Sequence, residues 1–253
     1  MVVKKRQRVW IDNYDIHSYE IDSTGFVSLT MLIKFMQESA YRHAENLEVG
    51  FSQLREKNLF WVLTSQYIKI YSFPKWGDCI QIHTWPAGKS RLAYLRDFRI
   101  FDSNRRIIGV GTTKWYAIDM ARKRPQNIDG QFEARPMVEE RSVEIELNKL
   151  AGAQADSPNL KMPVGFSDID INGHVNNVRY IDWLMECFSL DFHHSHQLSE
   201  IQINYLSEAI YRDEIAVYLE RVGNLSYRCS IKRVPDDKEL CRAQTEWKPA
   251  ITK

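Results

Sequence analysis

Residues 22–40 read DSTGFVSLTMLIKFMQESA, and residues 170–188 read DINGHVNNVRYIDWLMECF. Both open on Asp-x-x-Gly, continue with a ring-bearing residue and Val, and run into an apolar helical stretch with glutamate at the same offset, Glu38 and Glu186. Further on, 68–80 (IKIYSFPKWGDCI) matches 203–215 (INYLSEAIYRDEI), each an alternating strand passing through a turn to Asp-x-Ile. Later still, TTKW at 112–115 matches QTEW at 244–247. Three matches in one order mean two copies of one fold, and a repeat of this kind constrains the architecture more than any local propensity does.

Each copy reads as a helix followed by strands. In the first, Leu29, Leu32, Ile33, Met36 and Ala40 form one stripe of a helix over 28–46, and strands follow near 64–72, 79–86, 91–102 and 107–119. In the second, the helix covers 177–189, with Val178, Ile181, Leu184, Met185 and Phe188 on one stripe and Trp183 and Cys187 on the other side. Strands follow near 200–206, 214–222, 225–234 and 239–248. Strands joined by tight turns after a helix predict an α+β fold in which an antiparallel sheet wraps around that helix. The organisation expected is a first half over 8–135, a linker over 136–157 with AGAQADSP across its end, and a second half over 158–253. Segment 142–149 fits either a strand or a short helix.

Composition narrows the function classes. With 253 residues, 44% of them apolar, the chain can bury two cores, and a net charge of +1 argues against a dedicated nucleic-acid binder. It has no run of about 18 apolar residues, so no membrane span is expected. The N-terminal MVVKKRQRVW has charge but no apolar stretch behind it, unlike a secretory signal, and is short for a transit peptide. Cys79, Cys187, Cys229 and Cys241 form no CxxC pair and read as reduced thiols of a cytosolic protein. His193, His194 and His196 lie in DFHHSHQ, which reads as a loop after the helix. No carboxylate or cysteine stands nearby at ligand spacing, so neither a metal nor another cofactor is expected.

The second copy carries polar groups that the first lacks. In FSDIDINGHVNN, an extended approach to the helix would project Asp170, Asn172 and His174 from one side. Asn176 or Asn177 would cap the helix. A carboxylate, an amide and an imidazole beside a helix N-terminus suit thioester hydrolysis: a base activates water, and N–H groups receive the charge of the tetrahedral intermediate. Asp-x-x-Gly before a helix is also a common turn, and Asn-Asn a common cap. The comparison of copies weighs against that plainer reading. The first copy keeps Asp22 and Gly25 but has Thr24 for Asn172, Phe26 for His174, and Ser28 and Leu29 for the Asn pair. Downstream, Phe73 stands where the second copy has Glu208. Backbone features persist in both copies while polar features appear in one.

The stretch DIDINGHVNNVRYIDWLMECF resembles the catalytic segment of the plant and bacterial acyl-acyl carrier protein (acyl-ACP) thioesterases. LFWVLTSQYIKIYSFPKWGDCIQIHTWPAGKSRLAYLRDFRIFD and TTKWYAIDMARKRPQNI resemble that family's N-terminal half, so the likeness covers about 8–250. It implies a tandem (double) hotdog, two antiparallel sheets each wrapped around a long helix, with catalytic positions at Asp170, Asn172, His174 and Glu208. The family's cysteine position falls on Ala209, which favours attacking water and leaves open whether Asp170, His174 or Glu208 takes the proton. The partner implied is acyl carrier protein bearing a fatty acyl-phosphopantetheine group, and a homodimer is left open. The first copy, with Phe26 and Phe73 in place of polar groups, is expected to bind the acyl chain, with Met31, Ile33, Phe35 and Met36 on its helix tuning chain length. An acyl-CoA thioesterase on the same scaffold and a non-catalytic acyl-binding module are the competing readings. A hotdog dehydratase finds no support in the sequence.

Overall fold

The computed structural model of the protein describes residues 6–130 and 138–250. The first five residues of the N-terminal reading, positions 131–135 of the expected first half, 136 and 137 of the linker, and 251–253 of the second half lie outside the described residues. By its contacts the chain divides into two units. Unit 1 comprises residues up to Thr64 and Ile70–Glu146; unit 2 comprises Ser65–Lys69 and Leu147 onward.

Unit 1 contains β1 (Trp10–Asp15), α1 (Leu29–Asn46), α2 (Phe51–Glu56), β2 (Leu59–Ile70), β3 (Cys79–Ser90), β4 (Ala93–Phe101), β5 (Ile107–Asp119) and β6 (Pro125–Gln126). Its strands run β1-β3-β4-β5-β2, with β6 on β5. Unit 2 contains β7 (Leu160–Pro163), α3 (Asn177–Met185), α4 (Leu190–Ser195), β8 (His196–Tyr205), β9 (Glu214–Arg221), β10 (Ser226–Arg233) and β11 (Lys238–Pro249). Its order is β7-β9-β10-β11-β8, and β8 pairs with the Ser65–Lys69 part of β2. All the described pairings are antiparallel, and the two orders correspond strand for strand.

The periodicity explains α1. Leu29, Leu32, Ile33, Met36 and Ala40 are buried, each large one contributing roughly 1.5–3 kcal/mol on leaving water. Ser28 accepts the Met31 N–H at its start (3.3 Å), and Glu48, at φ 56°, turns the chain out beyond its end. In unit 2 the expected helix over 177–189 divides. α3 stops at Met185, the Cys187 and Phe188 N–H groups turn back onto Leu184 and Met185, and Ser189 caps the new helix α4 by accepting the Phe192 N–H. The histidine-rich segment is therefore helix and strand start rather than loop. Phe188, Phe192 and His193 pack there with Trp247, and His193 Nε2 lies 3.1 Å from the Met185 carbonyl.

Segment 142–149 is neither strand nor helix. It is pinned nonetheless. The Ser142 N–H and Arg141 hold the buried Asp97 in unit 1, while in unit 2 the Leu150 N–H donates to Asn204 and the Ala153 N–H to Ser230.

The repeat is visible bond by bond. Trp115 Nε1 donates to Thr113 at 2.8 Å and Trp247 Nε1 to Thr245 at 3.1 Å. The Tyr71 and Ser72 N–H groups reach the Ile108 carbonyl at 2.8 and 3.2 Å; those of Leu206 and Ser207 reach Leu240 at the same two distances.

Candidate active site

The loop before α3 is a closed turn, not the extended approach expected. The Asp170 N–H donates to the His174 carbonyl (2.8 Å), the Gly173 N–H donates to the Asp170 carbonyl (3.0 Å), and Ile169 bridges Val175. Gly173 sits at φ 81°, a conformation that costs glycine nothing. Asp170 Oδ1 accepts the Asn172 N–H at 2.8 Å, and the Asn172 side-chain amide lies 3.4 Å from Asp170 Oδ2. Asn176 is the cap of α3, its Oδ1 accepting from the Val178 N–H at 3.0 Å.

A second loop meets this one through the Val175 N–H, which donates to the Ala209 carbonyl at 2.9 Å. That bond carries Glu208 to His174: Oε2 and Nε2 are 3.3 Å apart, with the side chains 57% and 40% exposed. The four residues thus fall into two pairs, Asp170 with Asn172 and His174 with Glu208. Among the described residues no side-chain hydrogen bond or ion pair joins one pair to the other.

Unit 1 has the same two loops without the polar side chains. The Asp22 N–H donates to the Phe26 carbonyl (2.8 Å), Gly25 sits at φ 78°, Asp22 Oδ1 accepts the Thr24 N–H (2.8 Å), and the Val27 N–H donates to the Pro74 carbonyl (2.9 Å). Phe26 occupies the place of His174, with the Lys75 ammonium over its ring, and the buried Phe73 occupies that of Glu208. The Asp–turn bond belongs to the scaffold of both copies; the imidazole–carboxylate pair belongs to one.

Support comes from two further buried residues, Tyr180 and Asp168. The buried Tyr180, on the same side of α3 as Trp183, accepts the Ala209 N–H at 3.1 Å and so anchors the loop bearing Glu208. Burial pushes its phenol well above the usual tyrosine range, so it stays neutral. Asp168, also buried, accepts the Gly165 N–H and an Arg179 guanidinium N–H at 2.8 and 2.7 Å, which fixes the entry to the turn. Glu20 opposite Asp168 in the repeat was the signal for that role. The amides at the start of α3 are less free than expected: Asn176 takes the N–H groups of both Val178 and Arg179.

The four cysteines form no disulfide. Burial pushes the Cys187 thiol up to about 11, and pushes Cys229 and Cys241 up as well. Ala209, beside Glu208, is fully buried. Among the described residues no group of three or more His, Cys, Asp or Glu side chains could hold a metal ion.

Two antiparallel strand sets of one order, each with a capped helix after its first strand, define a double hotdog. Residues 7–135 match the family model of the acyl-ACP thioesterase N-terminal domain and 152–249 that of the C-terminal domain; the chain belongs to the acyl-ACP thioesterase family. It is 29% identical over 271 residues to the chloroplastic palmitoyl-acyl carrier protein thioesterase of Gossypium hirsutum, covering 97% of this chain and 65% of that protein. It therefore spans a little under two thirds of that relative's length. It is also 29% identical over 219 residues to oleoyl-acyl carrier protein thioesterase 1 of Arabidopsis thaliana, covering 78% of this chain and 59% of that protein. The same fold is seen in an acyl-ACP thioesterase from Bacteroides thetaiotaomicron, with a TM-score of 0.88, 22% identity and coverage of 95% of this chain and 98% of that one. The 12:0-ACP thioesterase from Umbellularia californica superposes with a TM-score of 0.84 at 21% identity, covering 96% and 98%.

Proposed function

We propose that this chain hydrolyses fatty acyl-ACP to free fatty acid and carrier thiol, using water activated in its second half. The observation that carries the reading is the His174–Glu208 pair, assembled by two loops whose counterparts in the first half hold Phe26 and Phe73. His174 takes the proton of a water molecule as the water oxygen attacks the thioester carbonyl carbon. Glu208 orients the ring and offsets the positive charge it gains. Asn172, exposed and only loosely tied to Asp170, offers its amide to the carbonyl oxygen as that oxygen becomes negative. The tetrahedral intermediate collapses, the C–S bond breaks, and the phosphopantetheine thiolate leaves with little need of acid assistance. Asp170 holds the turn. No cysteine nucleophile enters, since Ala209 has no reactive group and the Cys187, Cys229 and Cys241 thiols are held protonated.

We assign recognition of the acyl chain to the first half. Ile33, Phe35 and Met36 are buried on α1 and Met31 is half-buried beside them. A methylene contributes about 0.8 kcal/mol on burial, so one carbon more or less alters kcat/KM roughly fourfold. Relatives carry palmitoyl-, oleoyl- and dodecanoyl- names, so the family reading is compatible with long or medium chains. A cytosolic place of action, with four reduced thiols, is part of the proposal.

The test is thiol release from acyl-ACP and acyl-CoA across chain lengths, with single changes at Met31, Ile33, Phe35 and Met36 profiled alongside. Turnover with higher kcat/KM on acyl-ACP, and a profile moved by changes on α1, is the expected result. Preference for CoA makes it an acyl-CoA thioesterase; tight acyl binding without thiol release makes it a binding module.

A further inference from the structure

Gln66 is a buried polar residue that the mechanism above does not use. It lies in the part of β2 that pairs with β8, directly opposite Ile203, and is 3% exposed. Its strand neighbours show which face it occupies. Ser65 accepts a hydrogen bond from the Asn204 side chain, and Tyr67 and Lys69 both donate to Glu200, so odd positions of β2 share one face with even positions of β8. Gln66 and Ile68 therefore face the other way, with Ile201, Ile203 and Tyr205. That is the helix side, because Tyr205 donates its hydroxyl to the carbonyl of Asn177, the first residue of α3.

On this apolar face the Gln66 Nε2 has no hydrogen-bond partner. A second buried donor without a partner, Trp183 Nε1, projects from α3. The Tyr180 ring contacts both Trp183 and Tyr205, with centroids 5.2 and 5.9 Å apart. The layer beneath α3 thus holds N–H donors that lack acceptors. Native interiors rarely leave such groups unmatched, and an unmatched one calls for an explanation such as a bound group. Tyr205 stands diagonally across the strand pair from Gln66, within reach of a long side chain. Its hydroxyl ends on the residue three places after His174. Gln66 is thus buried where the His174–Glu208 pair is half open, and Tyr205 links the face it occupies to the start of α3.

We propose that Gln66 is a specificity-determining residue whose side-chain amide donates to an oxygen carried by the acyl chain near its thioester end. The enzyme then favours chains bearing a keto or hydroxyl group there over plain alkyl chains of equal length. The inference rests on the hydrolase reading. Its logic is that a site built to hydrogen-bond a polar substrate group disfavours the analogue that lacks it, because the buried donor is then left unpaired.

The experiment measures kcat/KM for 3-oxoacyl-, 3-hydroxyacyl- and unsubstituted acyl-ACP of one chain length, in wild type, Gln66→Met and Gln66→Asn. Methionine matches the length without the donor; asparagine keeps the amide but withdraws it by one methylene. Wild type is expected to favour one or both oxygenated substrates, and the ratio of oxygenated to plain kcat/KM to fall roughly tenfold in both variants. The two oxygenated arms distinguish a keto from a hydroxyl acceptor. Gln66→Met is expected to unfold no earlier than wild type, since an unpaired buried donor is removed. An oxygenated-to-plain ratio that is the same in all three proteins, with plain substrate turned over, overturns the role of Gln66 and leaves the hydrolase reading standing. Absence of turnover by wild type on every thioester overturns the hydrolase reading itself.

Discussion

If His174 and Glu208 act as one unit, their substitutions cannot multiply. The contact is 3.3 Å between Nε2 and Oε2, in a setting where both side chains are roughly half open to water. Two unit charges about 4 Å apart interact by about 1 kcal/mol in water and about 4 kcal/mol under the weaker screening near a protein surface. Half exposure places this pair near the lower value, at about 1–2 kcal/mol once the imidazole gains its proton, or roughly five- to thirtyfold in rate. Glu208→Gln, which keeps the shape and removes the charge, should lower kcat by that factor. His174→Ala removes the proton acceptor and should lower kcat by roughly 10²–10⁴. Added to His174→Ala, Glu208→Gln should then cost no more than about twofold, because the charge it stabilises no longer forms. The assay is single-turnover release of carrier thiol from acyl-ACP, with circular dichroism to establish that each variant is folded. Losses that multiply would show two independent groups. A Glu208→Gln loss larger than that of His174→Ala would make the carboxylate the base and refute the assignment.

Asp22 and Asp170 close the same turn, so replacing either by alanine should cost roughly 0.5–1.5 kcal/mol of stability, seen as similar falls in Tm. Asp170→Ala should also lower kcat roughly a hundredfold, by loosening the turn that positions Asn172 and His174, while Asp22→Ala leaves it within about threefold; equal kcat losses in folded protein would contradict a single active half. Alkylation of the folded protein with iodoacetamide should leave most activity intact, because Cys187 titrates only at about 11 and the other thiols are also pushed up; prompt inactivation tracking one cysteine away from the acyl path would refute attack by water. His43, buried in unit 1, is held down at about 4 by burial and by the Arg96 guanidinium, against 6.5 in the unfolded chain. The unfolded state then binds the extra proton, so this contribution is fully present above pH 6.5 and is lost as pH falls toward 4, by about 3 kcal/mol in all. Denaturant unfolding at pH 7 and pH 4.5 should show the loss in wild type and a shallower one in His43→Gln.

The elements that the sequence made legible are those whose patterns are local. The stripe of α1 gave a helix over 28–46, one residue longer than the observed Leu29–Asn46, whose cap is Ser28. β1 and β7 were missed because neither advertises itself: WIDNYD alternates poorly and LKMP is four residues long, and both are edge strands whose places come from pairing with β3 and β9. The repeat placed Glu208 opposite Phe73 without any geometry, and the Val175–Ala209 and Val27–Pro74 bonds put both residues at equivalent points of their loops. Strand alternation was the wrong rule for Asp170 to His174, since Gly173 bends that segment into a turn. Tyr180 and Gln66 were illegible for another reason. A tyrosine on a helical stripe and a glutamine within an alternating strand look like core and surface until their partners, or the lack of them, are known.

The differences between the two halves are not spread evenly. Strand order, the closing bonds of each turn, the helix cap and the Trp–Thr contact are kept. The exchanges Thr24 for Asn172, Phe26 for His174 and Phe73 for Glu208 all fall in two loops that meet through one backbone bond. The same cluster contains a backbone departure. Gly77 of unit 1 sits at φ 84°, and its counterpart Arg212 sits at φ 70°, four residues after Glu208; each donates its N–H to the equivalent carbonyl, Ile16 or Val164. A non-glycine residue in that conformation costs roughly 1–2 kcal/mol that glycine avoids. Other non-glycine residues at positive φ, Glu48, Asn58, Arg91, Arg105, Lys123 and Asp237, lie away from these loops, so the polar exchanges and not the strain set the loop pair apart, and a polar pair kept in one half alone is what the proposed hydrolase reading requires.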